Sequence, residues 1–284
     1  MQKKIGFMGT PNFAVPILKN IYQNGYEVSV IYTQPPSKSN RGQKFEKSPI
    51  HSFAETLSYV IRTPNQLKNN KSEYEYFKNL DLDLVIVVAY GIIIPKEFLS
   101  LSKQGFINLH ASILPKWRGA APIQRSIMNN DKETGISVMK INEKLDEGDI
   151  SDVFKISIME NENAQVLSDR LSNLASEKIS YIIDGIIDKE VNFKPQDHTQ
   201  ATYAEKIKKM EGLIDWNDKA ENIIGKINGL YPYPGGYFIY RGERYKILKA
   251  QISLNKDQPG KVLSNDLEIS CGENSIKILE IQRE

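Results

Sequence analysis

The sequence predicts an α/β fold in which a doubly wound, mostly parallel, Rossmann-like sheet is followed by a small β-barrel. Strand-like and helix-like segments alternate through the first half of the chain, which is typical of parallel sheets covered by helices on both faces. Towards the C-terminus the pattern changes to five short strands separated by turns, which favours a barrel of the oligonucleotide-binding (OB) type. A chain of 284 residues can form two such domains. We place the first domain at residues 1–190, a linker at 191–206 and the barrel at 207–284.

The elements of the first half follow from local patterns. A helix over residues 13–23 carries apolar residues on one side and ends at Gly25. The uninterrupted apolar run at residues 84–88 indicates a strand that is covered on both faces. Asn163 can cap a long helix that reaches about residue 188. Strands are expected at residues 4–8, 28–32, 84–88, 105–110 and 136–141, and a further helix at residues 49–58.

The second half begins with a stretch, residues 193–202, that has no periodicity and therefore predicts a linker. A helix over residues 219–228 precedes a turn rich in proline and glycine. The barrel strands are expected at residues 237–240, 245–250, 261–263, 267–270 and 276–281.

Composition excludes several classes of protein. One cysteine, Cys271, cannot form an internal disulfide framework, which favours a reducing cytoplasm. With only three histidines in addition, a dedicated zinc site is not expected. The longest apolar run, residues 84–94, is too short to cross a bilayer, and the N-terminus lacks the apolar core of a signal peptide. We expect a cytoplasmic monomer with no metal and no membrane partner.

Charge is distributed unevenly, although the net charge is only +2. The first basic stretch, residues 34–51, contains Lys38, Arg41, Lys44 and Lys47. The second, residues 241–249, contains Arg241, Arg244, Lys246 and Lys249. Each stretch alone is consistent with a solvated loop or strand face. Two of them, in separate halves, favour a polyanionic partner.

Asn108 and His110 lie two residues apart at the end of a predicted strand. Period-two alternation places both side chains on the same face of the sheet. The carboxyl edge of a parallel sheet is also where the ligand crevice opens. Pro115 and Gly119 close the next segment into a loop that can present main-chain groups to a planar heterocycle. A structural role for a buried polar pair stays an alternative.

Asp146 follows another predicted strand, in an acidic turn. An acidic run with glycine is usually only a turn. This carboxylate becomes a candidate only if its loop reaches the His110 end of the strand, since loops that follow parallel strands gather along one edge of a sheet.

The pattern Asn108-x-His110-x-Ser112-Ile-Leu-Pro115, with Leu145-Asp146-x-Gly148 later, resembles the folate-dependent formyltransferase superfamily. The extension through residues 116–124 is similar to the members that formylate methionyl-tRNA. The likeness continues through residues 7–11, 88–91, 201–204, 214–216 and 231–235, and so spans nearly the whole chain. Two features depart from the pattern: Tyr233 stands where tryptophan is common, and the sequence stops at Glu284 where relatives continue into a basic tail, which puts the end of the barrel in question.

The resemblance implies transfer of the formyl group of 10-formyltetrahydrofolate to the α-amino group of methionyl initiator tRNA, for translation initiation. By the same likeness Asn108, His110 and Asp146 are catalytic, and Ser112, Ile113, Leu114 and Pro115 bind the folate. Contacts with tRNA are expected from Arg41, Lys44, Arg118, Arg244 and Lys246.

Formyl transfer to an amine passes through a tetrahedral intermediate, whose oxyanion needs hydrogen-bond donors. Asn108 and a protonated His110 can provide them. Asp146 would hold His110 in the charged form or relay the amine proton through water. Cys271 is interpreted as a packed thiol without a role in the chemistry.

Three alternative functions agree less well with the sequence. The acceptor could be a nucleotide-linked amino sugar or glycinamide ribonucleotide, but the second domain and residues 117–122 favour tRNA. A nicotinamide-dependent oxidoreductase would need Gly-x-Gly-x-x-Gly after the first strand and an acidic residue after the second. The chain has Gly6-Phe-Met-Gly9 and Thr33-Gln34 at those places. A purely RNA-binding protein would leave the catalytic trio without a purpose.

Overall fold

The computed structural model describes residues 3–39 and 44–284. These residues form two compact units, each made of several segments of the chain. The first unit consists of residues 1–115, 135–154 and 170–201, and the second of residues 116–134, 155–169 and 202–284. The units therefore interleave along the chain, and the functional boundaries expected at residues 190 and 207 stay a prediction.

Strands and helices alternate from the N-terminus, as the sequence predicts. The five predicted strands and three predicted helices of this half all form, with ends shifted by at most three residues. In chain order the elements are β1 (Lys4–Gly9), α1 (Val15–Gln23), β2 (Glu27–Tyr32), β3 (Ser37–Ser39), β4 (Lys44–Glu46), α2 (Pro49–Thr56), β5 (Ile61–Arg62), α3 (Lys71–Lys78), β6 (Leu84–Val88), α4 (Lys96–Leu99), β7 (Phe106–His110), β8 (Arg118–Gly119), α5 (Pro122–Met128), β9 (Glu133–Lys140), β10 (Ile150–Ser157) and α6 (Ala164–Ile187).

A seven-stranded sheet organises this half, in the order β10-β9-β7-β6-β1-β2-β5. The five strands from β7 to β5 pair in parallel. Every residue of β6 is buried, which confirms the prediction that this strand is covered on both faces. The long helix α6 starts where predicted, because the side chain of Asn163 accepts a hydrogen bond from the main-chain N–H of Val166 at 3.0 Å.

The sheet departs from a parallel arrangement at β9, which pairs with β7 in the antiparallel direction. Ile107 lies opposite Lys140, and His110 lies opposite Ser137. The chain therefore leaves β9 beside the start of β7, and the main-chain N–H of Ile141 donates to the carbonyl of Phe106. This direction matters for the loop that carries Asp146.

The C-terminal elements follow the predicted series closely. They are β11 (Tyr203–Ala204), α7 (Ala220–Gly229), β12 (Gly236–Tyr240), β13 (Glu243–Ser253), β14 (Val262–Ser264), β15 (Glu268–Ser270) and β16 (Ser275–Arg283). The last five strands form one sheet in the order β12-β13-β16-β15-β14, with every pair antiparallel. This sheet is consistent with the small barrel expected from the sequence.

The core of the second unit forms where α7 packs on this sheet. Ile223, Ile247 and Ile276 are buried together with Cys271, which is fully inaccessible. Burial raises the pKa of the Cys271 thiol to about 11, so the group is protonated at neutral pH. The structure thus agrees with the interpretation of Cys271 as a packed thiol.

No helix within residues 3–39 and 44–284 is both long enough and apolar enough to span a membrane. The aperiodic segment after α6 is also more ordered than its composition indicates. Lys194 forms a two-bond antiparallel bridge with Ile150, and β11 pairs with β8.

Candidate active site

Strand β7 presents the two polar residues that the sequence singles out. Asn108 lies between Val87 of β6 and Met139 of β9, and it is partly buried. His110 ends the strand and is only 5% exposed. Because the two residues are separated by one position of an extended strand, their side chains share one face of the sheet.

Asp146 approaches this pair. Its Oδ2 lies 3.6 Å from Nδ1 of His110, and both side chains are largely shielded from solvent. The proximity was expected, but the reason given for it was wrong. The strand before Asp146 is antiparallel to β7, so its loop does not start at the shared carboxyl edge. The loop returns along the sheet from the level of Ile107 to reach His110.

The returning loop, residues 142–148, has a constrained path. Asp146 adopts a left-handed backbone conformation with φ +50°. At Gly148 a Cβ atom would lie 1.8 Å from the carbonyl oxygen of Lys140, so only glycine fits. The side-chain amide of Gln196 donates to the carbonyl oxygens of Asp146 and Gly148, at 2.8 Å each. Sequence analysis did not identify Gln196, which lies in the aperiodic segment.

The segment Ser112–Pro115 follows β7 directly and is tied to β9 by Ser137. The Ser137 hydroxyl donates to the carbonyl oxygen of Ser112 at 2.7 Å and accepts from the N–H of Leu114 at 3.0 Å. Ser112 and Leu114 are buried, whereas Ile113 and Pro115 are partly exposed. Within the described part of the chain, the main-chain groups of Ile113 make no hydrogen bond. Sequence reasoning missed Ser137, because a serine within a strand carries no signal of such a role.

The loops after β1, β2 and β6 meet at the same edge of the first unit. The Thr10 hydroxyl donates to the carbonyl oxygen of Tyr90 at 2.7 Å, and the Gln34 amide donates to that oxygen at 3.3 Å. Gly91 follows with φ +79°, and a Cβ there would collide with the Gln34 side chain. Thr10 and Gln34, which follow β1 and β2, therefore join these three loops to one another.

Arg118 does not fit the phosphate contact expected from the sequence. It is 1% exposed, in the short strand β8, and its main-chain N–H donates to the carbonyl oxygen of Thr202. A residue buried to this degree is not accessible to a phosphate, so the structure does not support the expected contact between Arg118 and tRNA. The neighbouring Trp117 donates from its indole N–H to the carboxylate of Asp131 at 2.7 Å, which indicates a structural role.

Arg244 and Lys246 share one face of β13, as their spacing predicts, and both reach Glu284. Their nitrogen atoms lie 2.9 and 3.9 Å from its carboxylate. Arg244 also stacks on the ring of Tyr237 at 3.8 Å, and Lys246 donates to the carbonyl oxygen of Pro232. The charged groups of Arg244 and Lys246 therefore already have partners within the protein.

Two strands of the first basic stretch, β3 and β4, pair in the antiparallel direction. Arg41 and the side chain of Lys44 lie outside the described residues, so their expected role stays a prediction. Lys47, in contrast, pairs with Glu55 at 2.6 Å. Within residues 3–39 and 44–284, no cluster of three or more histidine, cysteine and acidic side chains could hold a metal ion.

Comparison with known proteins identifies the class of protein that this fold and site define. Residues 3–183 match the formyl transferase family, and residues 206–284 match the formyl transferase C-terminal domain. The chain belongs to the formyl transferase family.

Two relatives within this family are methionyl-tRNA formyltransferases. That of Pelagibacter ubique is 63% identical over 285 residues, which cover 100% of this chain and 92% of the relative. That of Parvibaculum lavamentivorans is 43% identical, over 99% of this chain and 92% of the relative. The resemblance seen in the sequence is confirmed.

A solved structure supports the fold. A sugar 3N-formyl transferase, WlaRD, determined in the presence of dTDP and 5-N-formyl-THF, aligns with a TM-score of 0.74. The alignment covers 100% of this chain and 98% of that protein, at 21% identity. At this identity the likeness concerns the architecture alone.

Proposed function

We propose that this protein transfers the formyl group of 10-formyltetrahydrofolate to the α-amino group of methionyl initiator tRNA. The observation that carries the proposal is the approach of the Asp146 carboxylate to the His110 imidazole, beside Asn108 on the same strand face. The 63% identity to a methionyl-tRNA formyltransferase over the full chain supports the choice of acceptor.

The segment Ser112–Pro115 fits a folate ring. Its path is fixed by Ser137, and the main-chain groups of Ile113 form no hydrogen bond within the described residues, so they are available to donors and acceptors of a planar heterocycle. When bound, 10-formyltetrahydrofolate supplies an electrophilic formyl carbon. We assign Ser112, Ile113, Leu114 and Pro115 to its recognition.

Asn108 and His110 would serve the reacting carbonyl. The amide N–H of Asn108 and a protonated His110 can donate to the oxygen that gains negative charge. One such donor contributes about 3–4 kcal/mol of transition-state stabilisation in other acyl-transfer enzymes. Because His110 is buried and Asn108 partly buried, their hydrogen bonds would compete little with bulk water.

Asp146 would act on His110 and on the proton of the attacking amine. Its Oδ2 faces Nδ1 of the imidazole, so the carboxylate can orient the ring and receive the amine proton through water. At a separation of 3.6 Å, a small shift of the side chains or one bridging water would complete the contact between Asp146 and His110.

Recognition of tRNA would involve the first basic stretch, with Arg41 and Lys44, and strand β13, with Arg244 and Lys246. The proposal also includes a cytoplasmic monomer. A single cysteine, which cannot form an internal disulfide, supports a reducing compartment, and light scattering after size-exclusion chromatography would test the oligomeric state.

The direct test is incubation with 10-formyltetrahydrofolate and methionyl initiator tRNA, followed by acid-gel separation or mass detection of the product. We expect N-formylmethionyl-tRNA with the wild-type protein and a severe loss with His110→Ala. A parallel reaction would offer a nucleotide-linked amino sugar as acceptor. Formylation of the sugar, with the tRNA left unmodified, would overturn the proposal.

A further inference from the structure

Gln196 joins two carbonyl groups that flank Glu147 in the loop of Asp146. Its Nε2 donates to the carbonyl oxygens of Asp146 and Gly148, both at 2.8 Å, and the residue is only 7% exposed. We infer that Gln196 is a positioning residue, which fixes the Asp146 carboxylate against His110. The inference rests on the proposed function, because it deepens the role assigned to Asp146.

The contact depends on the chemistry of a primary amide. Two hydrogen atoms on one nitrogen can satisfy two acceptors at once, which a hydroxyl or a carboxylate cannot do. A glutamate at this position would place its carboxylate, which only accepts hydrogen bonds, against the two carbonyl oxygens. A methionine would leave both carbonyl oxygens without this donor.

The loop needs such a restraint, because its own backbone provides little. Asp146 has a left-handed conformation that costs a residue with a Cβ atom free energy relative to the right-handed region. Its neighbours at residues 142–145 are exposed. Gly148 permits a close passage beside Lys140, and the N–H of Lys140 donates to the carbonyl oxygen of Asp149 at 2.9 Å. Gln196 extends this attachment from the base of the loop to Asp146 itself.

Gln196 can restrain the loop because its own segment is fixed. Lys194, two residues earlier, exchanges two main-chain hydrogen bonds with Ile150, each of 2.9 Å. Ile150 begins β10, directly after the loop. The ring of the adjacent Phe193 also packs on the ammonium group of Lys140, 4.4 Å from the ring centroid. The restraint is thus attached to the sheet at both ends of the loop.

Loss of the amide should reduce kcat rather than substrate binding, since Asp146 acts on the reaction and not on the folate segment. We expect Gln196→Met to lower kcat by about 10- to 100-fold, the effect of a displacement of about 1 Å in an active site. Gln196→Glu should lower it at least as much. The KM values for folate and tRNA should stay within about twofold. Gln200→Met is the matched control, because Gln200 is exposed in the same segment and, among the described residues, its side chain bonds only to Asp197.

A double-mutant cycle separates this role from general stabilisation of the fold. In the Asp146→Ala background, Gln196→Met should cause no further loss of kcat, because the carboxylate that it positions is gone. An equal loss in both backgrounds would overturn the inference.

Hydrogen exchange gives a readout that does not depend on activity. In Gln196→Met the peptide covering residues 142–149 should exchange faster, while peptides from β1 and β6 keep their wild-type protection. If residues 142–149 of the Gln196→Met variant exchange at the wild-type rate, the inference is overturned. If the wild-type protein does not formylate methionyl-tRNA, the proposed function fails, and the exchange experiment still decides whether Gln196 holds the loop.

Discussion

Ser137 and Ser112 are joined by a hydrogen bond of 2.7 Å, from the hydroxyl of the first to the carbonyl oxygen of the second. The same hydroxyl accepts from the main chain of Leu114. One buried side chain of β9 therefore sets the course of the whole segment that follows His110.

Replacement of Ser137 by alanine should weaken folate binding, because two buried main-chain groups lose their partner. Such groups cost about 1–3 kcal/mol when they are left unsatisfied, so we expect a rise of about tenfold in the KM for folate. The kcat should change little. Steady-state kinetics would measure both. The control is Ser29→Ala, since the Ser29 hydroxyl makes no hydrogen bond within the described residues; an equal effect there would contradict this prediction.

His110→Ala and Asp146→Ala should each reduce kcat by about 10²- to 10⁴-fold with the fold intact. The reason is their mutual approach beside the proposed folate segment. Rapid-quench kinetics and circular dichroism would test activity and folding together. His198→Ala serves as the control, because His198 is a more exposed imidazole 3.9 Å from Glu147 in the same unit. A near-normal kcat in a folded His110 or Asp146 variant would remove that residue from the catalytic trio.

Asn108→Ala should lower kcat by about 10²- to 10³-fold with little change in the KM for folate, since its donor acts on the developing oxyanion. Asn142→Ala is a suitable control, because Asn142 is exposed and bonds locally to the N–H of Lys144. If Asn108→Ala raises only the KM for folate, Asn108 is a binding residue.

The acid stability of the first unit should depend on Glu73. Burial alone would raise the pKa of this carboxyl, but hydrogen bonds from Arg62 and Tyr32 outweigh burial and hold the pKa below its ordinary value of 4.5. A folded-state pKa below the unfolded one contributes stability above about pH 4.5, and this is lost as the pH falls through the folded-state value.

Glu73→Gln should therefore lower the free energy of unfolding by about 1–3 kcal/mol at neutral pH, with a smaller difference from wild type in acid. Urea denaturation between about pH 6 and pH 3 would measure this difference. Glu75→Gln changes an exposed carboxyl on the same helix and should have little effect at any pH in the range. If the difference in free energy of unfolding between wild type and Glu73→Gln is the same at every pH in this range, protonation of Glu73 does not account for the acid stability.

Arg41→Ala should raise the KM for tRNA and reduce the salt dependence of binding. One lost phosphate contact reduces the slope of log affinity against log salt by about 0.7–0.9. Lys47→Ala is the control on the same basic stretch, because Lys47 already pairs with Glu55. Equal slopes for wild type and Arg41→Ala would exclude a phosphate contact.

Strong local patterns made most of the fold predictable. The apolar run of β6 and the periodic helix α6 formed as expected. Helix α3 was missed because it is polar, with only Glu73 and Phe77 buried. Strand β10 was missed because exposed residues recur along it, among them Val153, Lys155 and Ser157. Such elements are stabilised by tertiary contacts rather than by propensity.

The site was predictable where chemistry-bearing side chains stand close in sequence, as Asn108 and His110 do. The residues that hold the site in place were not predictable, because they bond to main-chain groups that are distant in the sequence. Ser137 is 25 residues from Ser112, and Gln196 is 50 residues from Asp146. The direction of β9 could not be read from its sequence either, since parallel and antiparallel strands share the same period.

The distance along the chain between Gln196 and its partners bears on how the protein matures during synthesis. All seven strands of the large sheet are complete by Ser157, and the formyl transferase match ends at residue 183. Neither Lys194 nor Gln196 lies within that span. A nascent chain can therefore assemble the sheet, with His110 in place, before the two hydrogen bonds to the Asp146 loop can form. Fragments cut at residue 183 should fold as a sheet but lack this last attachment, so the family boundary is a poor place to end an isolated catalytic unit.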